Sequence, residues 1–294
     1  MLNIVNLIKR FDDNEVLKSV NLQVKEGSVF GLVGINGAGK STLLRCIAGV
    51  YKPEGGQVIF NDHDTYDSYD IRKDIFFVSD DFYYPSNATI NSIKIFYESF
   101  YVIDEVLFNK YLKLFNLSCD TLISNFSKGM KRQTNLLFGL CIKPRLLLLD
   151  ECFDGLDPLA RLTFKKSLVE LLEDDKITVI ISSHNLKELE DICDSFGILE
   201  NGQINTYGDL LESKEKVVKI QLAYKTKRKI DFKKKFNVLS LKQEGQVITL
   251  VVKGDIKAIR NELNKTKPLL INELPVNFEE LFIYEVESRG LINE

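Results

Sequence analysis

Cysteine is scarce in this chain of 294 residues: Cys46, Cys119, Cys141, Cys152 and Cys193 are an odd set of five with no CxxC pair. That scatter supplies neither a disulfide framework nor the spacing of a zinc site, so a reducing cytoplasm is the expected setting. Long apolar runs are lacking as well. Runs such as Leu146–Leu149 fall far short of the roughly 18–20 uncharged apolar residues that cross a bilayer, so work at a membrane is expected to pass through a partner. The opening stretch from Met1 to Phe11 has no basic start, apolar core or small-residue cleavage site, and is expected to be folded protein rather than a secretory signal. There is no excess of positive charge either. With 39 Lys and Arg against 42 Asp and Glu, a net charge of -3, a dedicated nucleic-acid binder is not expected.

What remains is ordinary for a globular protein: 45% hydrophobic and 28% charged residues exclude a disordered or collagen-like chain. The length suffices for one good core with about a hundred residues left for a smaller unit. Leu2, Ile4 and Leu7, then Val20, Leu22 and Val24, keep approximately to the period of two that marks strands, and Val29–Val33 follows the Lys25-Glu26-Gly27 turn. The segment Ser41–Ala48 has no helix breaker and stops at Gly49, which predicts a helix. Helical patterning returns near Asn91–Tyr101, Glu105–Phe115 and Ser127–Ile142, as an insertion over about 88–142. Leu146–Leu149 and Ile177–Ile181 are continuous apolar runs, as suits strands buried on both faces of a parallel sheet. Pro158 opens a predicted helix between them that runs to about Glu173.

Between a strand and a helix lies Gly34-Ile35-Asn36-Gly37-Ala38-Gly39-Lys40-Ser41, the full pattern of a phosphate-binding loop. Such a loop wraps phosphate oxygens in backbone N–H groups, which side chains on its glycines would obstruct, and the helix N-terminus adds positive partial charge. Asn36, Gly37, Ala38, Gly39 and Thr42 are therefore expected around the phosphates, with Lys40 on the outer ones and Ser41 on magnesium. The run Leu146–Leu149 ends in Asp150 and Glu151, where the first acid is suited to the magnesium shell and the second to polarising the attacking water.

Phe126-Ser127-Lys128-Gly129-Met130-Lys131-Arg132-Gln133, shortly before that acidic strand, completes a set that resembles the nucleotide-binding subunits of ATP-binding-cassette (ABC) transporters over about residues 1–210. Ser127 is placed to cap the helix running to Ile142, leaving a helix end with Gly129 in its first turn that can receive an anion. The resemblance implies that this anion is the terminal phosphate held by a second subunit. It also implies an α/β P-loop NTPase core with an antiparallel β subdomain and a helical insertion. ATP and Mg2+ would be the cofactors. Asp154-Gly155-Leu156-Asp157-Pro158 would be the loop that links the two composite sites. His184, after Ser182-Ser183, would contact the terminal phosphate and the catalytic water beside Glu151 and Lys40. Phe11 matches the aromatic that stacks on adenine, although an isolated aromatic is equally suited to the core.

Two positions depart from the family pattern. Asp80 stands where a glutamine usually touches magnesium and senses the membrane subunit; its carboxylate is a good hard-oxygen ligand, though one methylene shorter. Lys128 replaces the commoner glycine of the signature. Residues 211–294 resemble the family less and predict a small α+β appendage, with strands at Val217–Tyr224, Val238–Leu241 and Val247–Val252 and helices at Ile256–Asn264 and Phe278–Val286. The run Phe278–Tyr284 resembles the ending of bacterial exporter ATPases. The cluster Lys225, Lys227, Arg228, Lys229, Lys233, Lys234 and Lys235 suits either a solvated face or contact with anionic lipid or a partner.

One copy of each motif with no internal repeat disfavours a twin-cassette protein of the ribosome, and the short interval from Lys40 to Ser127 has no room for the long coiled coil of a chromosome-repair cassette. The resemblance thus implies an ATPase subunit of a bacterial exporter, peripheral on the cytoplasmic face of the cell membrane. Its partners would be a transmembrane permease and a second ATPase subunit in a homodimer or heterodimer, with drug or antimicrobial and amphipathic peptide as cargo. The other reading is a regulatory ATPase of the same type that is not coupled to transport.

Overall fold

The computed structural model describes residues 1–174, 176–209, 217–226, 230–276 and 280. The chain divides into two compact units, Met1–Tyr207 and Gly208–Glu294.

In the first unit the strands β1 (Leu2–Phe11), β2 (Asn14–Val24) and β3 (Val29–Val33) lead to helix α1 (Lys40–Ile47). Strands β4 (Gly55–Phe60) and β5 (His63–Asp64), the short helix α2 (Tyr69–Arg72) and β6 (Ile75–Val78) follow. Helices α3 (Ile90–Glu98), α4 (Glu105–Leu114) and α5 (Lys128–Ile142) form the helical stretch. Then come β7 (Leu146–Leu149), α6 (Pro158–Asp174), β8 (Thr178–Ser183), α7 (Leu186–Leu189), β9 (Ser195–Glu200) and β10 (Gln203–Asp209).

Two sheets share this unit. An antiparallel sheet runs in the order β2-β1-β4-β5, and the second runs β10-β9-β3-β8-β7-β6. In the second, β9, β3, β8, β7 and β6 are parallel, and β3, β7 and β8 are buried at every position. Continuous apolar runs are what a sheet covered on both faces requires. One apolar cluster joins Leu2, Leu7 and Val20 of the antiparallel sheet to Leu43 and Ile47 of α1 and Leu146 and Leu148 of β7. Burying such a side chain stabilises the fold by about 1.5–3 kcal/mol, so α1 is clamped where its first turn must face a ligand.

The helical stretch is fixed by its caps. Thr89 and Ser92 make a reciprocal capping box on α3, and Asp104 accepts from the amides of Val106 and Leu107 on α4. Ser127 accepts from Met130 N–H at 3.1 Å on α5. Such caps contribute about 1 kcal/mol each. Pro158 opens α6 with Asp157 capping Ala160 N–H at 2.9 Å, the arrangement that proline at the first helical position favours. The predicted helix at Asn91–Tyr101 ends early, at Glu98.

The second unit has strands β11 (Val217–Ala223), β12 (Asn237–Glu244), β13 (Val247–Lys253) and β14 (Leu270–Leu274) and helix α8 (Ile256–Asn264). Its antiparallel sheet has the order β12-β13-β11-β14. Ile259 and Leu263 of α8 join Ile220, Leu222, Leu250 and Val252 in a separate core. The strand β14 has no counterpart among the sequence-based expectations, because its two-residue alternation is broken by Asn272 and Glu273. Apart from Glu280, the expected helix Phe278–Val286 lies outside the described residues, as do the cations Lys227, Arg228 and Lys229.

Candidate functional site

The phosphate loop leaves β3 at Val33 and enters α1 at Lys40. Gly37 and Gly39 hold φ of +82° and +104°, a backbone region that L side chains rarely adopt, and these two angles turn the loop back on itself. Gly39 caps α1 without a side chain, so the first amides of the helix face outward unscreened, as anion binding requires. Lys40 is buried, and its Nζ donates to the Gly34 carbonyl at 2.7 Å and the Ile35 carbonyl at 3.3 Å.

Strand pairing brings the acids to this loop. The register Leu149 beside Ile181 sets Asp150 and Glu151 next to Ser182 and Ser183. Ser182 Oγ donates to Asp150 Oδ1 at 2.7 Å and accepts the Glu151 N–H at 2.9 Å. Glu151 itself sits at φ +45°, a conformation that costs a non-glycine residue about 1–3 kcal/mol and that clusters at catalytic positions. This turn aims its carboxylate between two cations or donors. Oε1 is 3.1 Å from Lys40 Nζ, and Oε2 is 2.9 Å from His184 Nδ1.

Asp150 is fully buried, and its Oδ2 has no hydrogen-bond partner among the described residues. Burial pushes its carboxyl above the ordinary range, against hydrogen bonds from Ser182 and Ser41 that favour the ionised form. A buried carboxylate with an orphaned oxygen beside a serine hydroxyl fits a hard divalent cation, which would supply the missing partner. Ser41 and Asp150 therefore form a donor set suited to Mg2+.

A cavity of about 500 Å³ collects these groups: Lys40, Ser41, Thr42, Asp80, Glu151 and His184 line it together with Asn36, Gly37 and Gly39. Phe11 lines the same cavity, half-exposed and edge-on to Tyr51 at 5.4 Å, so its ring lies at the mouth rather than in the core. Asp80 reaches the cavity while its Oδ1 is held by the Arg132 guanidinium. Ala38 is turned away, its N–H donating to Ile35 at 3.2 Å.

Ser127 and Gly129 do not line this cavity. Ser127 is exposed at the start of α5, and a Cβ added to Gly129 would lie 2.7 Å from the Gly155 carbonyl oxygen. Glycine here allows the signature turn to touch the loop that follows Glu151. Asp154 of that loop lines the cavity and approaches Glu151 and His184, their ligand atoms lying within 4.8 Å of one another. Ser182, Val16 and Arg132 are site residues that the sequence pattern does not single out. Ser182 is within reach of such reasoning, since a hydroxyl one residue beyond a buried run faces the end of a parallel neighbour.

Residues 17–154 match the ABC transporter family. The ABC transporter ATP-binding protein YtrB of Bacillus subtilis (strain 168) is 30% identical over 287 residues, spanning 96% of this chain and 97% of its own length. The chain belongs to the ABC transporter ATP-binding proteins. It is accordingly an ATPase that binds ATP with Mg2+. This ABC ATPase is also similar to the bacitracin transport ATP-binding protein BcrA of Bacillus licheniformis, at 29% identity over 81% of this chain and 80% of that one. The methionine import ATP-binding protein MetN of Clostridium tetani (strain Massachusetts / E88) is 29% identical over 71% of this chain and 70% of its own length. Among solved structures, an ATP-binding subunit of an ABC transporter superposes with a TM-score of 0.67 at 28% identity, covering 73% of this chain and 92% of that one. No helix among the described residues is long and apolar enough to cross a membrane.

Proposed function

We propose that this ABC ATPase powers an exporter, working as one half of a dimer that closes on two ATP molecules beneath a transmembrane permease. The observation that carries the reading is the division of its motifs. The phosphate loop, Glu151 and His184 meet in one cavity, while the capped N-terminus of α5 stands outside it, exposed. A second ATPase subunit, identical or homologous, presents its own Ser127-type helix end to the phosphates held here. Dimer closure then does the mechanical work on the permease, and the chain sits on the cytoplasmic face of the membrane through that partner.

The residues divide the chemistry. Asn36, Gly37, Gly39 and Thr42 surround the phosphates with backbone donors while Phe11 stacks on the base. Lys40 is paired with Glu151 here, and a phosphate entering the cavity competes for that ammonium and frees the carboxylate. Ser41 and Asp150, with Asp80 at the cavity wall, would hold Mg2+, which would supply positive charge to neutralise the transferring phosphoryl group. Glu151 accepts the proton of the attacking water as the water oxygen bonds the terminal phosphorus and the bond to the ADP oxygen breaks. His184 holds Glu151 in line, and Lys40 with the partner's helix end stabilises the developing charge.

For direction and cargo, the bacitracin transport relative matches 81% of this chain against 71% for the methionine import relative. That longer likeness supports drugs or amphipathic peptides as cargo, and the resemblance of Phe278–Tyr284 to the ending of bacterial exporter ATPases supports export. The test is vesicles with the cytoplasmic face outward that carry the chain and the membrane protein that co-purifies with it. ATP-driven accumulation of a fluorescent amphipathic peptide in the lumen is expected. ATP-driven release of preloaded cargo, or no co-purifying membrane protein, contradicts the reading.

A further inference from the structure

Arg132 heads the largest fully buried side chains, and it carries a charge that the chemistry above does not use. It lies on α5, just over one turn beyond Ser127. One guanidinium nitrogen donates to the Ser79 carbonyl at 3.1 Å, another grips the Asp80 carboxylate, and the group stands 5.3 Å from the Phe82 ring centroid. One turn further along the helix, the Asn135 side-chain oxygen accepts the Tyr84 hydroxyl. The segment after β6 is thus strapped to α5 at both ends by polar bonds, and Asp80 on that strap lines the nucleotide cavity.

A strap built for packing alone would be poor engineering. Burying a guanidinium is costly unless all its donors are met, yet Arg132 Nε and Asn135 Nδ2 are both buried without a partner among the described residues. Well-packed apolar side chains would hold the segment as firmly. What only the guanidinium provides is a directional grip on a carboxylate.

We propose that Arg132 is a positioning residue for ATP hydrolysis, acting through Asp80. It fixes that carboxylate at the cavity wall and joins it to the helix that starts at Ser127. A shift of Asp80 toward nucleotide in this chain's cavity therefore moves the helix end offered to the second subunit. That last consequence rests on the paired-subunit reading; the Arg132–Asp80 link itself does not.

The test is a double-mutant cycle with Arg132→Gln, Asp80→Asn and both together, reading kcat, KM for ATP, Mg2+ requirement and melting temperature. Each single change is expected to lower kcat by about tenfold with KM within about threefold, and the pair to do no worse than either alone. The Mg2+ requirement shifts equally in both, and Arg132→Lys recovers part of kcat. Losses that multiply in the pair, an unchanged kcat in either single variant, or a Mg2+ shift confined to Asp80→Asn overturns the proposal. Should Arg132→Gln fail to fold, Asp80→Asn, at a half-exposed side chain, and Arg132→Lys carry the same decision: full kcat in either overturns it. Pairing of the ATP-bound chain is read separately, so a failure to pair leaves the outcome of the cycle intact.

Discussion

The nucleotide cavity and the N-terminus of α5 are the two surfaces of one unit to which the proposed function assigns phosphate binding, and they are finished differently. In the cavity, Lys40 has Glu151 and two loop carbonyls, Glu151 has His184, and Asp80 has Arg132. At α5 a single serine caps one amide, no acid stands in the first turn, and Lys128 is exposed. The first surface presents a carboxylate, an ammonium and a serine hydroxyl, the groups that the proposed hydrolysis uses. The second presents a helix end with no acid in its first turn, which suits it to stabilising a phosphate and nothing further. A reaction that needs both surfaces, when they are not in one cavity, is one that two chains share.

Lys40→Ala strikes the finished surface hardest. It removes the ammonium and leaves Glu151 without its cationic neighbour, and turnover is expected to fall by about a thousandfold or more, measured by phosphate release. Next is Ser127→Arg, which fills the open helix end: turnover falls by about a hundredfold, while a fluorescent ATP analogue still binds the separate chain. The comparison sharpens if the Lys40→Ala and Ser127→Arg proteins are mixed, because one composite site then regains an intact lysine and an intact helix end. Restored turnover is expected from a homodimer, and its absence would break the shared-site account for identical subunits.

Gly129→Ala has a smaller effect. Its Cβ must displace the Gly155 carbonyl from 2.7 Å, at about 1–3 kcal/mol, read as a lower melting temperature with reduced turnover. Phe11→Ala is mildest. It loses about 0.5–1.5 kcal/mol of ring contact, raising KM for ATP several-fold and leaving kcat unchanged.

The two surfaces are also unequally legible in the sequence. Loop and acids announce themselves because backbone geometry demands glycine at fixed spacing and a buried strand must end before it can present carboxylates. Their order along the chain carries the family likeness. The approach of Asp154 to Glu151 is hidden, because it comes from a turn that no local pattern encodes; Ser182 is marked by its place after a buried run, but its bond to Asp150 follows from strand register. Arg132 stands in a polar signature, yet it is wholly buried; only the tertiary contact with the segment after β6 explains an arginine there. Phe11 is undecided between core and ligand in the sequence because an aromatic suits both, and burial alone separates them.

Sharing of the site is tested most directly by the oligomeric state of Glu151→Gln, in which the base is lost and the carboxamide keeps the shape. With ATP and Mg2+ the account predicts that this variant binds nucleotide, does not turn it over, and sediments as a dimer that reverts to monomer with ADP. A variant that holds ATP yet stays monomeric, alone and with a sister ATPase subunit, contradicts it.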